Sequence, residues 1–123
     1  MDREAVEKVI QTFFDASYEG DGEKMAATFH KGSEYFGFDE NGGLHKMSGE
    51  EFLAPIRKYG KPAEYPRVSE ILSIDFGREN TAVVRTRIRV FDTMYNDIMT
   101  LMYLDGKWGI VAKVASGVPI DEA

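Results

Sequence analysis

The dipeptide Asp105-Gly106 constrains the fold more than any other part of this sequence. It separates two apolar runs, residues 95–104 and 107–115, and this combination is typical of a β-hairpin with a two-residue turn. A type I′ turn needs positive φ angles at both central residues, which explains the preference for Asp-Gly. The turn fixes the strand register, and the register assigns every side chain to one face of the sheet.

An uninterrupted count from this turn pairs Tyr103 with Trp108 and Asp97 with Val114. Residues directly opposite each other share a face, so one face is mainly apolar and carries Asp97 as its single carboxylate. That face holds Tyr95, Asp97, Met99, Leu101, Tyr103, Trp108, Ile110, Ala112 and Val114, joined from the preceding strand by Val84, Thr86, Ile88 and Val90. The other face holds Asn96, Ile98, Thr100, Met102, Lys107, Val111 and Lys113, joined by Arg85, Arg87 and Arg89.

The rest of the chain predicts three helices, a short hairpin and one more long strand. Helical spacing of apolar residues indicates a helix over 2–19, Asp21 is a candidate N-cap for a helix over Gly22–Phe29, and a capping box opens a helix over Gly49–Tyr59. The predicted strands are Glu34–Phe38, Leu44–Met47, Arg67–Phe76, Asn80–Phe91, Tyr95–Leu104 and Lys107–Ala115. Helices ahead of an antiparallel meander predict an α+β fold with the helices on one sheet face.

Length and composition restrict the class of protein. A chain of 123 residues suits one domain over residues 1–123. No apolar run approaches the ~18–20 residues of a membrane span, and the first residues lack the pattern of a signal peptide. We therefore expect a cytoplasmic protein with no membrane partner.

Charge and cysteine content exclude further classes. The net charge of −6 disfavours binding to nucleic acid. The chain has no cysteine and only two histidines, His30 and His45, which rules out thiolate chemistry and a three-histidine zinc site. Without a phosphate-binding or dinucleotide motif, we expect neither a metal nor a cofactor.

Four segments carry a family resemblance: residues 13–21, Phe29-His30-Lys31-Gly32-Ser33, 95–101 and 105–114. They resemble the nuclear transport factor 2-like superfamily, within it the SnoaL-like group and, most closely, the putative lumazine-binding family. Ile98 stands where that family has a tyrosine, and Gly109 where it has a basic residue. The resemblance implies a cystatin-like cone, in which a curved, mainly antiparallel sheet packs on three helices from the N-terminal half.

The same resemblance implies a small molecule in the cone, and in some members isomerisation, cyclisation, dehydration or hydrolysis. Asp97 and His30 are the candidate catalytic residues. An apolar pocket raises the pKa of a carboxyl group and suits it to proton transfer, and a histidine can act as a general base at neutral pH. The structural alternatives are a carboxylate bonded to a backbone amide or to Lys113, and a histidine at a helix C-terminus.

Aromatic side chains are the candidate ligand contacts, through hydroxyl groups or ring stacking. They are Phe14, Tyr18, Tyr35, Tyr95 and Trp108. Core packing is the alternative for Phe14 and Trp108.

Three functions remain open at this point. The first is a ligand-binding cone, with a lumazine-like or other flat hydrophobic ligand. The second is an isomerase, cyclase or dehydratase that uses Asp97 and His30. The third is a protein–protein interaction module. Because the outer sheet face mixes apolar and basic side chains, we also expect it to form a homodimer.

Overall fold

The computed structural model describes residues 2–123, and within them three α-helices precede or interrupt a six-stranded sheet. The helices are α1 (Arg3–Glu19), α2 (Gly22–Ala26) and α3 (Gly49–Tyr59). The strands are β1 (Phe29–Phe38), β2 (Leu44–Ser48), β3 (Ser69–Arg78), β4 (Thr81–Val90), β5 (Thr93–Leu104) and β6 (Lys107–Pro119), followed by a short 3₁₀ turn over Ile120–Glu122. The predicted α+β class is confirmed.

Local capping signals explain where the helices begin and end. The Asp2 carboxylate accepts a hydrogen bond from the Ala5 amide at the start of α1, and Gly20 ends this helix with a φ of 67°. A Cβ at Gly20 would clash with the backbone of Lys61, so the close approach of that loop also requires glycine. Helix α2 is shorter than predicted, because Phe29 already belongs to β1.

The sheet has the strand order β2-β1-β6-β5-β4-β3. All neighbours are antiparallel except β1 and β6, which run parallel. The sheet is open, with β2 and β3 at its edges. The core lies between the helices and the inner face of this sheet, where residues of α1 such as Val6, Ile10 and Phe13 are buried.

The hairpin prediction is confirmed at the turn itself. Asp105 and Gly106 have φ angles of 52° and 80°, as a type I′ turn requires. Tyr103 pairs with Trp108, and their rings are 5.8 Å apart on the same face.

A β-bulge in β6 overturns the predicted register farther from the turn. Val111 has no partner, so beyond it Asp97 pairs with Ala115 and not with Val114. The extra residue moves Lys113 to the inner face, where it is 5% exposed, and turns Val114 outward, where it is 42% exposed. The prediction that Lys113 lies on the outer face is therefore wrong.

The outer face of the sheet retains exposed apolar side chains. Ile98 is 47% exposed and lies between Arg85 on β4 and Val114 on β6. Val83 on β4 adds to this surface. Among the described residues, no helix is both long and apolar enough to cross a membrane.

Candidate functional site

Asp97 lies in the middle of β5 on the inner face and is only 2% exposed. The bulge in β6 brings Lys113 to the same face, where its Nζ lies 3.5 Å from Asp97 Oδ2. Both charged groups are thus removed from water at the centre of the sheet. A carboxylate and an ammonium are found this deep only when they are paired or bind a further group.

Three aromatic rings surround the Lys113 ammonium. Its Nζ lies 4.4 Å from the ring centre of Tyr35, 4.8 Å from that of Phe52 and 5.5 Å from that of Phe13. These rings come from β1, α3 and α1, and Tyr35 stacks on Phe52 with ring centres 4.9 Å apart. The cation faces the negative faces of π-systems, an arrangement that also presents flat apolar surface next to a charge.

Two polar atoms beside this ion pair have no partner within the described protein. Thr86 on β4 is directly opposite Asp97 on β5, and both side chains are buried. Thr86 Oγ1 and Asp97 Oδ1 make no hydrogen bond to any described residue. An unsatisfied buried polar group costs about 1–3 kcal/mol, so this pair indicates a place for water or for a polar ligand group. We call Asp97, Lys113 and Thr86 the inner polar cluster.

Burial dominates the titration of this cluster. It raises the pKa of the Asp97 carboxyl, and Lys113 opposes that shift only in part. It lowers the pKa of the Lys113 ammonium, against the partial opposition of Asp97. Burial also raises the pKa of the Tyr35 hydroxyl, with smaller contributions from Tyr95 and Asp97. These shifts bring the state with a protonated acid and a neutral amine closer in free energy to the ion pair.

His30 does not join Asp97. It lies on β1, where the preceding Phe29 packs into the core, and its ring covers Gly109 on the outer side of β6. His30 Nε2 is 2.9 Å from the backbone oxygen of Met102, and because a carbonyl only accepts, this nitrogen carries the proton. His30 and Asp97, the two candidate catalytic residues, are therefore not brought together in this structure.

The aromatic candidates divide into two groups. Tyr35 contacts Lys113, and Tyr95 lies two residues from Asp97 on the same face, with its ring against Gly117. The other three, Phe14, Tyr18 and Trp108, lie elsewhere.

Each of those three contacts other residues of the fold. Phe14 is buried in the core, and the Tyr18 hydroxyl donates to the Tyr65 carbonyl at 3.0 Å. Trp108 packs against Phe76 and Tyr103 at the hairpin end of the sheet. At ~3.3 Å per strand residue, Trp108 is about 20 Å from the level of Asp97.

Sequence reasoning named Lys113 only as a structural partner of Asp97 and placed it on the outer face, so Lys113 was not among the predicted site residues. A strand with one buried face alternates apolar and polar residues, but Ile110, Val111 and Ala112 are apolar in succession. Such a run is the one local sign that a residue is inserted and the alternation changes phase. When the register of β6 is counted with Val111 as an extra residue, Lys113 falls on the same face as Asp97.

Two surface cavities lie away from the inner polar cluster. One, of about 420 Å³, lies between the α1–α2 turn and α3, and includes Asp21, Ile56 and Arg57. The other, of about 470 Å³, lies between α1 and the β5–β6 hairpin. The cluster itself is enclosed by neighbours that include the half-buried Tyr35 and Phe52. Within residues 2–123, no group of three or more histidine, aspartate or glutamate side chains is placed to hold a metal ion.

Solved structures similar to this fold come from several bacteria. A nuclear transport factor 2-like protein of unknown function from Shewanella baltica OS155 superposes with a TM-score of 0.84 at 21% identity, covering 94% of this chain and 92% of that one. A similar protein from Methylobacillus flagellatus KT has a TM-score of 0.82 at 28% identity, covering 95% and 92%. A ketosteroid isomerase-like protein from Erwinia carotovora atroseptica SCRI1043 has a TM-score of 0.74 at 16% identity, covering 95% and 96%.

These structural similarities establish the nuclear transport factor 2-like fold. The comparison of the sequence with protein families is more specific. A search of curated proteins found no match. The family described as "Putative lumazine-binding" matches residues 1–116, which include all of α1 to β5 and every residue of the inner polar cluster. The chain therefore belongs to the putative lumazine-binding family, with the nuclear transport factor 2-like fold.

Proposed function

We propose that this protein binds a small planar molecule at the inner polar cluster. The observation that carries the proposal is the pair of buried, unpartnered atoms Asp97 Oδ1 and Thr86 Oγ1, next to the Lys113 ammonium. A buried cluster with unused hydrogen-bonding capacity is arranged to receive a polar group. The rings around it favour a flat ligand.

The chemistry of the cluster defines the ligand edge. Asp97 Oδ1 accepts a hydrogen bond, Lys113 donates, and Thr86 can do either. A heteroaromatic ring with an N–H next to a carbonyl satisfies this set, and the lumazine named in the family description has such an edge. Tyr35 and Phe52 are only half-buried, so we propose that their movement gives the ligand access.

A fluorescence titration with lumazine tests the proposal. We expect saturable binding by the unaltered protein, and Asp97→Asn to weaken it about 10- to 100-fold, which corresponds to the ~1.5–3 kcal/mol of a hydrogen bond to a charged group. The matched control is Asp75→Asn, because Asp75 is an exposed aspartate on β3 of the same sheet. The proposal fails if lumazine does not bind at millimolar concentration, or if both variants lose affinity equally.

We also propose that two copies pair through the outer sheet face. Ile98 and Val114 lie side by side on adjacent strands with more than a third of each side chain exposed, and burial of such surface is worth ~25 cal/mol per Å². Arg87 lies 3.4 Å from Glu70 on the neighbouring strand, so one arginine of this face already has an acidic partner within the chain. In a two-fold interface the same patch of both copies is in contact, so the apolar side chains of one copy would cover those of the other.

Sedimentation equilibrium at micromolar concentration tests the dimer. We expect a dimer mass for the unaltered chain and a monomer mass for Ile98→Asp, since the new carboxylates would be buried opposite each other. Leu44→Asp is the control, because Leu44 is more exposed but lies on the edge strand β2. A monomer mass for the unaltered chain would show that another partner, or none, covers this face.

A further inference from the structure

We propose that Lys113 is a nucleophile that captures small aldehydes or ketones as a Schiff base. The inference takes the location of the ligand site from the proposed function, but it does not depend on lumazine. It adds a covalent step and a substrate class to a site for which the proposed function includes only ligand binding.

The position of the amine supports this role. Lys113 Nζ has a carboxyl oxygen 3.5 Å away, and the rings of Phe13, Tyr35 and Phe52 surround it. The carboxyl group of Asp97 can therefore exchange a proton with the amine or with a group bonded to it. The rings keep bulk water away, which protects a C=N bond from hydrolysis.

The charge state of the pair also suits nucleophilic attack. An ammonium has no free electron pair, so a lysine reacts only when it is neutral. Burial lowers the pKa of Lys113 and raises that of Asp97, so proton transfer from the ammonium to the carboxylate is less costly here than in water. The product of that transfer is a neutral amine beside a carboxylic acid.

The reaction balances with these two groups alone. The electron pair of Lys113 Nζ attacks the carbonyl carbon and forms a C–N bond, while the carbonyl oxygen takes the proton of Asp97. The nitrogen then returns a proton to the Asp97 carboxylate, which leaves a neutral carbinolamine. Asp97 next protonates the hydroxyl, the C–O bond breaks, water leaves and a protonated Schiff base forms beside the carboxylate. No oxidant or reductant takes part.

Reductive trapping on the folded protein tests the proposal. The protein is incubated at pH 7 with acetaldehyde or with benzaldehyde and sodium cyanoborohydride, and each modified lysine is quantified by peptide mass spectrometry. We expect Lys113 to be modified at least about tenfold faster than Lys107, an exposed lysine at the hairpin that lies outside the inner polar cluster. Because burial lowers the pKa of Lys113, the rate of its modification should fall little between pH 9 and pH 7.

Matched variants assign the signal. Lys113→Arg keeps a cation in the cluster and should abolish the fast modification, and Lys107→Arg should leave it unchanged. Modification of Lys113 no faster than that of Lys107 with both aldehydes, or only after denaturation, would overturn the inference.

Two combinations of results distinguish a failure of this inference from a failure of the proposed function. If lumazine binds but neither aldehyde modifies Lys113, the Schiff base is refuted and the binding site stands. If Lys113 is modified and lumazine neither binds nor slows the modification, the covalent step stands and the proposed ligand class is wrong.

Discussion

Asp97 and Lys113 depend on each other, because burial favours the neutral form of each group and the opposite charge of its partner favours the charged form. Their separation of 3.5 Å is longer than a good hydrogen bond, and one oxygen of Asp97 has no partner. Such a pair contributes little net stability, although the loss of one member costs about 3–5 kcal/mol. The ligand that we propose for this site would supply the missing hydrogen bonds.

This dependence predicts how Asp97→Asn responds to pH. Without the carboxylate, only burial acts on Lys113, and burial lowers its pKa below the ordinary value of 10.5. A lysine with a lowered pKa contributes stability that is present above its unfolded pKa and is lost as the pH falls through the folded pKa. We expect the variant to be less stable than the unaltered protein by about 3 kcal/mol at pH 7, and by less at about pH 10.

Urea denaturation at the two pH values measures this difference. The control is Asp75→Asn, which changes an exposed carboxylate and should show a small loss that does not vary between them. A loss for Asp97→Asn that stays the same from pH 7 to pH 10 would mean that Lys113 does not titrate in this range.

At the scale of elements, α3 has a function beyond covering the sheet. Ser48 and Glu51 form a reciprocal capping box at its start, and Phe52 then follows within the first turn. Phe52 stacks on Tyr35 and contacts the Lys113 ammonium. The cap therefore positions a ring of the candidate site.

We expect Ser48→Ala to lower the free energy of unfolding by about 1 kcal/mol, because the Glu51 amide loses its acceptor. Lumazine affinity should fall in the same variant, since Phe52 is held less firmly. Denaturation in urea and the fluorescence titration measure the two effects. Ser116→Ala is the control, because Ser116 is exposed on β6; an equal loss there would contradict a capping effect.

The sequence predicted the elements whose signals are local. The Asp105-Gly106 turn and the capping box of α3 depend on neighbouring residues, and both are found where predicted. The bulge at Val111 is not specified by its neighbours alone, because it also depends on how β6 fits between β5 and β1. Asp97 could therefore be placed on the inner face from sequence, whereas Lys113 could not.

At the scale of the whole molecule, the same distinction applies to His30. Its place beside Gly109 and Met102 follows from β1 lying next to β6, and no local pattern encodes that pairing. The helix predicted over Gly22–Phe29 is longer than α2, so the predicted first strand began only at Glu34 and His30 was expected at a helix end. The family resemblance supplied the cone, but the contacts inside it depend on segments far apart in sequence.

The parallel pairing of β1 with β6 has a consequence for the order of folding. Tyr35 and Lys113 are direct partners in this pairing, although one belongs to the first strand and the other to the last. A chain must close a very long loop before they meet, and contacts of that kind form slowly. We therefore expect the site to assemble late, after the local hairpin, and to be absent from a nascent chain until β6 leaves the ribosome. A ligand bound there would slow unfolding without accelerating folding.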